Sequence, residues 1–109
     1  MKKALCIGIN YYEHINSLFG CGNDASAMYN VLSRNGDGTP NFSTELYIAD
    51  NPGTQLSKEE LKDKIKKLFD GEVDSTLLYF SGHGYVENTG GYLLTSDVKR
   101  GDNGLAIHD

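Results

Sequence analysis

The 109-residue sequence has only two cysteines, no cluster of basic residues and no apolar run of transmembrane length. Two cysteines do not make a disulfide framework, and no second cysteine or nearby histidine gives the ligand spacing of a zinc site. A formal net charge of −5 disfavours nucleic acid and anionic membranes as partners. The apolar run that follows Lys2 and Lys3 is too short for a secretion signal. We therefore expect one globular domain in the cytoplasm.

Apolar and turn-forming residues predict that strands and helices alternate along the chain. Strands are predicted at 3–9, 44–50 and 75–82, where short apolar or β-branched runs end in polar residues. Helices are predicted at 23–36 and 57–71, between these strands. This order is typical of a parallel α/β sheet.

The two predicted helices carry different end signals. In the first, Asn23 or Asp24 is placed to cap the N-terminus and Gly36 to close the C-terminus. In the second, Ser57 and Glu60 match a capping box, with Leu56 and Leu61 spaced as a hydrophobic staple and Gly71 at the end. Its apolar face is expected to consist of Leu61, Ile65, Leu68 and Phe69.

The last third of the sequence predicts smaller elements. Residues 85–97 indicate a hairpin that turns at Thr89–Gly91. The segment after Gly104 is expected to begin another helix.

Sites in parallel sheets lie beyond the carboxyl ends of the strands. This rule places the loop after Ile9, the turn after Asp50 and the segment Ser81–Tyr85 at one edge of the sheet. We therefore expect His83 and Asp24 to lie near each other.

His83 lies between two glycines at the end of a strand that we expect to be buried. Gly82 and Gly84 permit close backbone approach and unusual dihedral angles beside the imidazole. The imidazole titrates near neutrality and suits proton transfer, and the Gly84 N–H can face an anion if no strand pairs it. The alternative is a turn histidine without a chemical role.

Four segments together resemble a known family. "LLYFSGHG" (77–84), "ALCIGINYY" (4–12), "GCGNDASAMYNVL" (20–32) and "YLLTSD" (92–97) resemble the large-subunit half of caspase-like cysteine peptidases, above all metacaspases and their bacterial relatives. The resemblance implies a three-layer, mostly parallel caspase-like α/β sandwich that is incomplete, with three main strands, two helices and a small hairpin. Residues 1–109 would form the N-terminal, large-subunit part of the peptidase domain.

The resemblance also implies roles for individual residues. His83 would be the histidine of a Cys–His dyad, and the Gly84 N–H would contribute to the oxyanion hole. Asp24 would line the primary specificity pocket and favour Arg or Lys before the scissile bond, although a helix cap would also explain it. Asp97 and Asp109 fall where some metacaspases bind calcium, and solvated surface acids are the alternative.

The family's nucleophilic cysteine follows a further strand that these 109 residues do not include. Cys6 lies mid-strand and is expected to be inert core. Cys21 is expected near the carboxyl edge, within reach of His83, but the family's nucleophile lies elsewhere. His14 and His108 are expected to be surface residues.

The resemblance therefore predicts part of a cysteine endopeptidase that cleaves after Arg or Lys more readily than after Asp. The 109 residues by themselves are expected to have no peptidase activity. Its partners would be peptide substrates and a segment or chain that completes the domain, with self-association through an open sheet edge. One alternative is an inactive caspase-like interaction module. Another is an unrelated doubly wound binding domain, for which a phosphate-cradling glycine pattern is missing from the first loop.

Overall fold

The computed structural model describes residues 2–71, 74–87, 90–99 and 104–106 of the chain. The main sheet has three parallel strands in the order β2-β1-β3, namely β1 (Lys2–Ile9), β2 (Ser43–Ala49) and β3 (Ser75–Ser81). The central strand β1 is paired on both edges and buried from Ala4 onward, which explains its unbroken apolar run. The predicted strand boundaries are confirmed to within one residue.

Two helices cover opposite faces of this sheet. They are α1 (Cys21–Ser33) and α2 (Lys58–Leu68). Successive side chains of a strand point to opposite faces. Ile7 of β1 lies in the apolar core that includes Leu61 of α2, whereas the next residue, Gly8, lies against Ala25 of α1. The layers are thus helix, sheet and helix, and the prediction of an incomplete caspase-like α/β sandwich is confirmed.

Helix α1 begins two residues earlier than predicted, and neither Asn23 nor Asp24 caps it. Gly20 is the N-cap residue and gives no side-chain hydrogen bond. Instead, the Asn10 side-chain oxygen accepts the Cys21 N–H at 2.9 Å. The cap therefore comes from the loop after β1, which a local sequence pattern does not reveal.

The prediction that Gly36 closes α1 is also wrong. The helix stops because Arg34 turns to an extended conformation and forms an antiparallel bridge with Pro40. The tight turn between them needs its left-handed residue later, at Gly38, where φ is +87°.

Helix α2 begins as predicted. The Ser57 Oγ accepts the Glu60 N–H at 3.1 Å, and the Glu60 carboxylate accepts the Ser57 N–H at 3.0 Å. Leu56 and Leu61, the predicted staple, are fully buried. Phe69 does not belong to the buried face, because it follows the last helical residue and is 63% exposed.

A second, antiparallel sheet follows β3. It contains β4 (Gly84–Glu87), β5 (Gly90–Leu93) and β6 (Leu105–Ala106) in that order. The predicted hairpin is confirmed, although Gly91 belongs to β5 and the connecting residues 88–89 lie outside the described part. The helix predicted after Gly104 is wrong: Gly104, at φ +77°, directs the chain into β6 alongside Leu93.

Strand β3 is less buried than its sequence indicates. Its residues from Thr76 to Ser81 are half-buried, because only one of its edges is paired with another of the described strands. Beside it, α2, β5 and β6 border a groove of about 990 Å³. The apolar residues that line this groove include Ile65, Phe69, Leu78, Leu93 and Leu105.

Among the described helices, none is both long and apolar enough to cross a membrane.

Candidate functional site

Segments that follow the three parallel strands meet at the carboxyl edge of the sheet, as predicted. Asn10, after β1, donates from its side-chain nitrogen to Asp50, after β2, at 3.0 Å. Tyr12 of the same loop accepts the backbone N–H of His83, after β3, at 2.8 Å. This edge is therefore the candidate site.

The start of α1 is held tightly against this edge by two glycines. A Cβ on Gly8 would lie 2.3 Å from the Cys21 carbonyl oxygen. A Cβ on Gly22 would lie 3.0 Å from the Ile48 side chain and 3.2 Å from the Asn10 side-chain nitrogen. The close approach fixes the first turn of α1, and with it Asp24, relative to the strand ends.

The His83 imidazole is held on one side by the loop after β1. Its Nε2 lies 2.8 Å from the Asn16 carbonyl oxygen. A carbonyl oxygen only accepts hydrogen bonds, so Nε2 carries the proton and Nδ1 of the neutral ring is unprotonated. The Tyr12 ring packs against the imidazole, with centroids 4.7 Å apart and planes tilted by 60°. The backbone environment thus selects one tautomer of His83.

Tyr12 is a residue of this site that the sequence did not single out. It is 3% exposed, and its hydroxyl accepts the His83 N–H and donates to the Leu94 carbonyl at 2.9 Å. Burial raises the pKa of this phenol to about 12. The "YY" pair after a strand was visible in the sequence, but nothing local shows that one of the two tyrosines meets a histidine 71 residues away.

The two glycines beside His83 differ in what they permit. Gly82 allows close approach, because a Cβ there would lie 2.7 Å from the Tyr12 hydroxyl and 3.0 Å from the Phe80 ring. Gly84 faces no such crowding; its nearest neighbour would be the Tyr92 carbonyl at 3.7 Å. Neither is among the described glycines with positive φ, so the backbone here does not use the unusual dihedral angles that glycine permits.

The direction of the Gly84 N–H follows from the strand register. Gly84 pairs with Leu93, and the preceding pair is linked by a bond from the Leu94 N–H to the His83 carbonyl at 3.1 Å. Hydrogen-bonded and non-hydrogen-bonded pairs alternate in an antiparallel ladder. Gly84 therefore occupies a non-hydrogen-bonded position, and its N–H is directed away from β5.

Asp24 lies exposed in the first turn of α1. One carboxylate oxygen accepts the Ser81 hydroxyl at 3.1 Å. Ser81 is two residues before His83, so the structure places Asp24 and His83 at the same strand end. The position at the helix N-terminus also stabilises the negative charge.

The two cysteines are both buried and unpaired. Cys6 is fully buried in the central strand, and burial raises the pKa of its thiol. Cys21 is the first residue of α1, with its N–H bonded to Asn10 and its carbonyl against Gly8. The expectation of a core position is thus met for Cys6, and Cys21 lies at the carboxyl edge as expected.

Of the two predicted calcium residues, the structure describes only Asp97. The Asp97 oxygen accepts the Thr95 hydroxyl at 2.6 Å and the Lys58 N–H at the start of α2 at 3.2 Å. Asp97 thus stabilises the N-terminus of α2. Asp109 lies outside the described residues, as does His108. Among the residues described, no group of three or more acidic, histidine or cysteine side chains is arranged to hold a metal ion.

His14 is exposed, as predicted, with its Nε2 3.5 Å from the Glu13 carboxylate. It lies in the same loop as Tyr12 and Asn16, but its side chain pairs outward with its neighbour. Of the two described histidines, His83 is therefore the one that the strand ends enclose.

Comparisons with known proteins agree with this arrangement. The family model of the caspase domain of peptidases C14 matches residues 1–103. One relative is metacaspase-1 of Meyerozyma guilliermondii, which is 34% identical over 78% of this chain and 22% of its own length. Another is metacaspase-3 of Arabidopsis thaliana, which is 32% identical over 80% of this chain and 25% of its own length. Metacaspase-1A of Aspergillus oryzae is 36% identical over 76% of this chain and 20% of its own length.

The chain therefore spans about a fifth to a quarter of the curated relatives that it matches. No solved structure matches it significantly. One conclusion follows from the family match over residues 1–103, together with the helix–sheet–helix layers and the histidine at the end of the third strand. The chain belongs to the caspase-domain family of cysteine peptidases.

Proposed function

We propose that this chain supplies the histidine-bearing part of a cysteine endopeptidase site that works by a Cys–His dyad. The observation that supports this most is the setting of His83, at the carboxyl end of β3 with Nε2 2.8 Å from the Asn16 carbonyl. That contact leaves Nδ1 as the basic nitrogen of the neutral ring.

The proposed chemistry uses His83 twice. Nδ1 takes the proton of a cysteine thiol, and the thiolate sulfur attacks the carbonyl carbon of the scissile peptide bond. The imidazolium then gives its proton to the leaving amine nitrogen as the C–N bond breaks. Water hydrolyses the resulting thioester with the imidazole again as base.

Gly84 is proposed to stabilise the oxyanion of this reaction. Its N–H is directed away from β5 because Gly84–Leu93 is a non-hydrogen-bonded pair. A backbone N–H fixed by a strand needs no reorganisation when charge develops on the substrate oxygen.

Asp24 is proposed to select a basic side chain before the scissile bond. Its carboxylate is exposed, lies at the edge that holds His83, and keeps its orientation through the Ser81 hydroxyl at 3.1 Å. A carboxylate held in this way can pair with Arg or Lys, whereas Asp in the substrate would be repelled.

The nucleophile is proposed to come from a segment outside these 109 residues. Cys6 is fully buried mid-strand, and Cys21 is buried with its backbone fixed by Asn10 and Gly8. The same completing segment would cover the groove beside β3 and the β3 edge that no described strand pairs.

Hydrolysis assays on the full-length protein that contains this chain test the dyad and the specificity. We expect His83→Ala to abolish cleavage of Arg- and Lys-directed peptides, with His14→Ala as the control. Asp24→Asn should reduce kcat/KM for these peptides by about tenfold or more, an effect of about 1.4 kcal/mol. Asp70→Asn, at an exposed acid that lines neither the site nor the groove, should leave kcat/KM unchanged.

Two results would count against this function. Wild-type cleavage by His83→Ala excludes the dyad. A protein that binds peptides or other chains without cleaving them favours a caspase-like interaction module instead.

The completing segment has its own test. We expect the 109-residue chain alone to lack hydrolytic activity. We also expect it to self-associate with rising concentration in light scattering, because one edge of β3 is unpaired among the strands described. A strictly monomeric chain at all concentrations would contradict the self-association. Arg- or Lys-directed hydrolysis by the isolated chain that survives Cys21→Ala would contradict the proposed origin of the nucleophile.

Calcium binding through Asp97 and Asp109 stays a prediction. Because Asp97 already accepts two hydrogen bonds, a calcium ion would have to share its carboxylate with the start of α2. Calcium titration of the full-length protein and its Asp97→Asn variant, followed by calorimetry, tests it: equal heats from both would exclude Asp97 as a ligand.

A further inference from the structure

Tyr12 contacts both the backbone and the imidazole of His83. Its hydroxyl bonds the His83 backbone, and its ring packs on the imidazole at 4.7 Å between centroids. Neither contact involves the proton transfer itself. Both fix where the imidazole lies.

The hydroxyl replaces a bond of the β4–β5 ladder at the His83–Leu94 pair. In such a pair each residue normally donates its N–H to the other's carbonyl. The Leu94 N–H donates to the His83 carbonyl at 3.1 Å. The His83 N–H instead donates to the Tyr12 hydroxyl, and that hydroxyl donates a hydrogen bond to the Leu94 carbonyl. Tyr12 thus bridges the ladder at the residue that carries the imidazole.

Three further observations indicate that this bridge is built into the site. Gly82 leaves room for the hydroxyl, since a Cβ there would lie 2.7 Å from it. The Tyr12 N–H donates to the Ser17 hydroxyl at 3.2 Å, which helps to hold the loop that presents the Asn16 carbonyl to His83. Burial keeps the phenol protonated, because its pKa is raised to about 12.

We infer that Tyr12 is a positioning residue for His83, fixing its backbone through the hydroxyl and one face of its imidazole through the ring. The inference rests on the proposed role of His83 in catalysis. Tyr12 holds together both sides of the imidazole contact: the backbone of His83 and the loop that carries Asn16. Without the hydroxyl, the imidazole samples orientations in which Nε2 no longer meets that carbonyl.

The test compares Tyr12→Phe with Tyr11→Phe in the full-length protein. Tyr11 is the neighbouring half-buried tyrosine, and within the described residues its side chain makes no hydrogen bond. Tyr12→Phe keeps the ring and removes only the hydroxyl. We expect kcat to fall about tenfold or more with KM nearly unchanged, because misplacement of a proton-transfer group affects the transition state. Tyr11→Phe should leave both constants at their wild-type values.

A spectroscopic measurement separates positioning from simple loss of stability. Long-range ¹H–¹⁵N correlation spectra, with His83 assigned by comparison with His83→Ala, should show the Nε2–H tautomer in the wild type. In Tyr12→Phe we expect a mixture of tautomers or exchange broadening, measured well below the unfolding midpoint of the variant. A pure Nε2–H signal together with wild-type kcat in Tyr12→Phe would overturn the inference.

The two proposals fail in different ways. If His83→Ala hydrolyses peptides normally, the dyad is wrong, whereas the tautomer of His83 in Tyr12→Phe still decides whether Tyr12 positions the ring. If His83→Ala is inactive but Tyr12→Phe has wild-type kcat and tautomer, the dyad stands and the role of Tyr12 is wrong.

Discussion

Replacing Gly8 by alanine should loosen the docking of α1 on the central strand. The new Cβ would lie 2.3 Å from the Cys21 carbonyl oxygen, 2.8 Å from its carbonyl carbon and 3.0 Å from the Ala25 Cβ. Two of these three atoms belong to backbone, which cannot rotate away as a flexible side chain would. The helix must therefore move outward, and Asp24 moves with it.

The expected loss follows from two opposing contributions. Overpacking of this kind costs about 1–3 kcal/mol, and a rigid backbone contact belongs at the upper end of that range. Alanine also restricts the unfolded chain, which offsets about 0.4–1 kcal/mol. We expect a net destabilisation of about 2 kcal/mol, or a fall in the thermal midpoint of roughly 10 °C for a chain of this size.

Thermal and urea unfolding followed by circular dichroism measure this change. Gly36→Ala is the matched control, because no atom of the described residues lies within 4 Å of the Cβ it would add and its φ is not positive. The control should be neutral or slightly stabilising. If Gly8→Ala unfolds within about 2 °C of the wild type, the close backbone contact between β1 and α1 is refuted.

Three further predictions concern single groups. Ser57→Ala removes the side-chain oxygen that accepts the Glu60 N–H, and should lower the free energy of unfolding by about 1 kcal/mol in urea titrations. Cys6 is fully buried and the pKa of its thiol is raised, so iodoacetamide should modify it slowly in the native chain and rapidly in urea. Mass spectrometry measures the two rates of modification, and equal rates would contradict the burial of Cys6. The pKa of Tyr12 rises from its ordinary value of 10.0 to about 12 on folding, so the folded state binds the phenol proton more tightly than the unfolded state. The free energy of unfolding should therefore fall by about 2–3 kcal/mol as pH rises from about 10 to about 12. Tyr12→Phe should lack this loss. Urea titrations of both proteins across that pH range measure the difference, and parallel curves would disprove it.

Local patterns were enough for elements whose signals lie close together in the sequence. Ser57 and Glu60 of the capping box are three positions apart, and both hydrogen bonds form in the structure. The strand predicted at 3–9 was recognisable because a fully enclosed strand is apolar without interruption. The alternation of such elements also predicted the parallel sheet and the edge at which the site would lie.

The element boundaries and the final strand that the sequence predicted wrongly depend on tertiary contacts that no local sequence pattern contains. The side chain of Asn10 decides where α1 begins, from eleven positions earlier in the chain. Gly104 and Leu93 decide that the final segment pairs as a strand, although its composition also suits a helix. Phe69 fits a helical apolar face by spacing, but the helix ends one residue before it.

The sequence by itself determined the strand order along the chain, the α/β class and the resemblance carried by His83 and Asp24, because each depends on short motifs or on periodicity. Only the tertiary structure decided how His83 is held. The Asn16 carbonyl, the Tyr12 hydroxyl and the open position of the Gly84 N–H come from loop packing and strand register. These are relations between residues up to 71 positions apart, which exist only once the strands have paired.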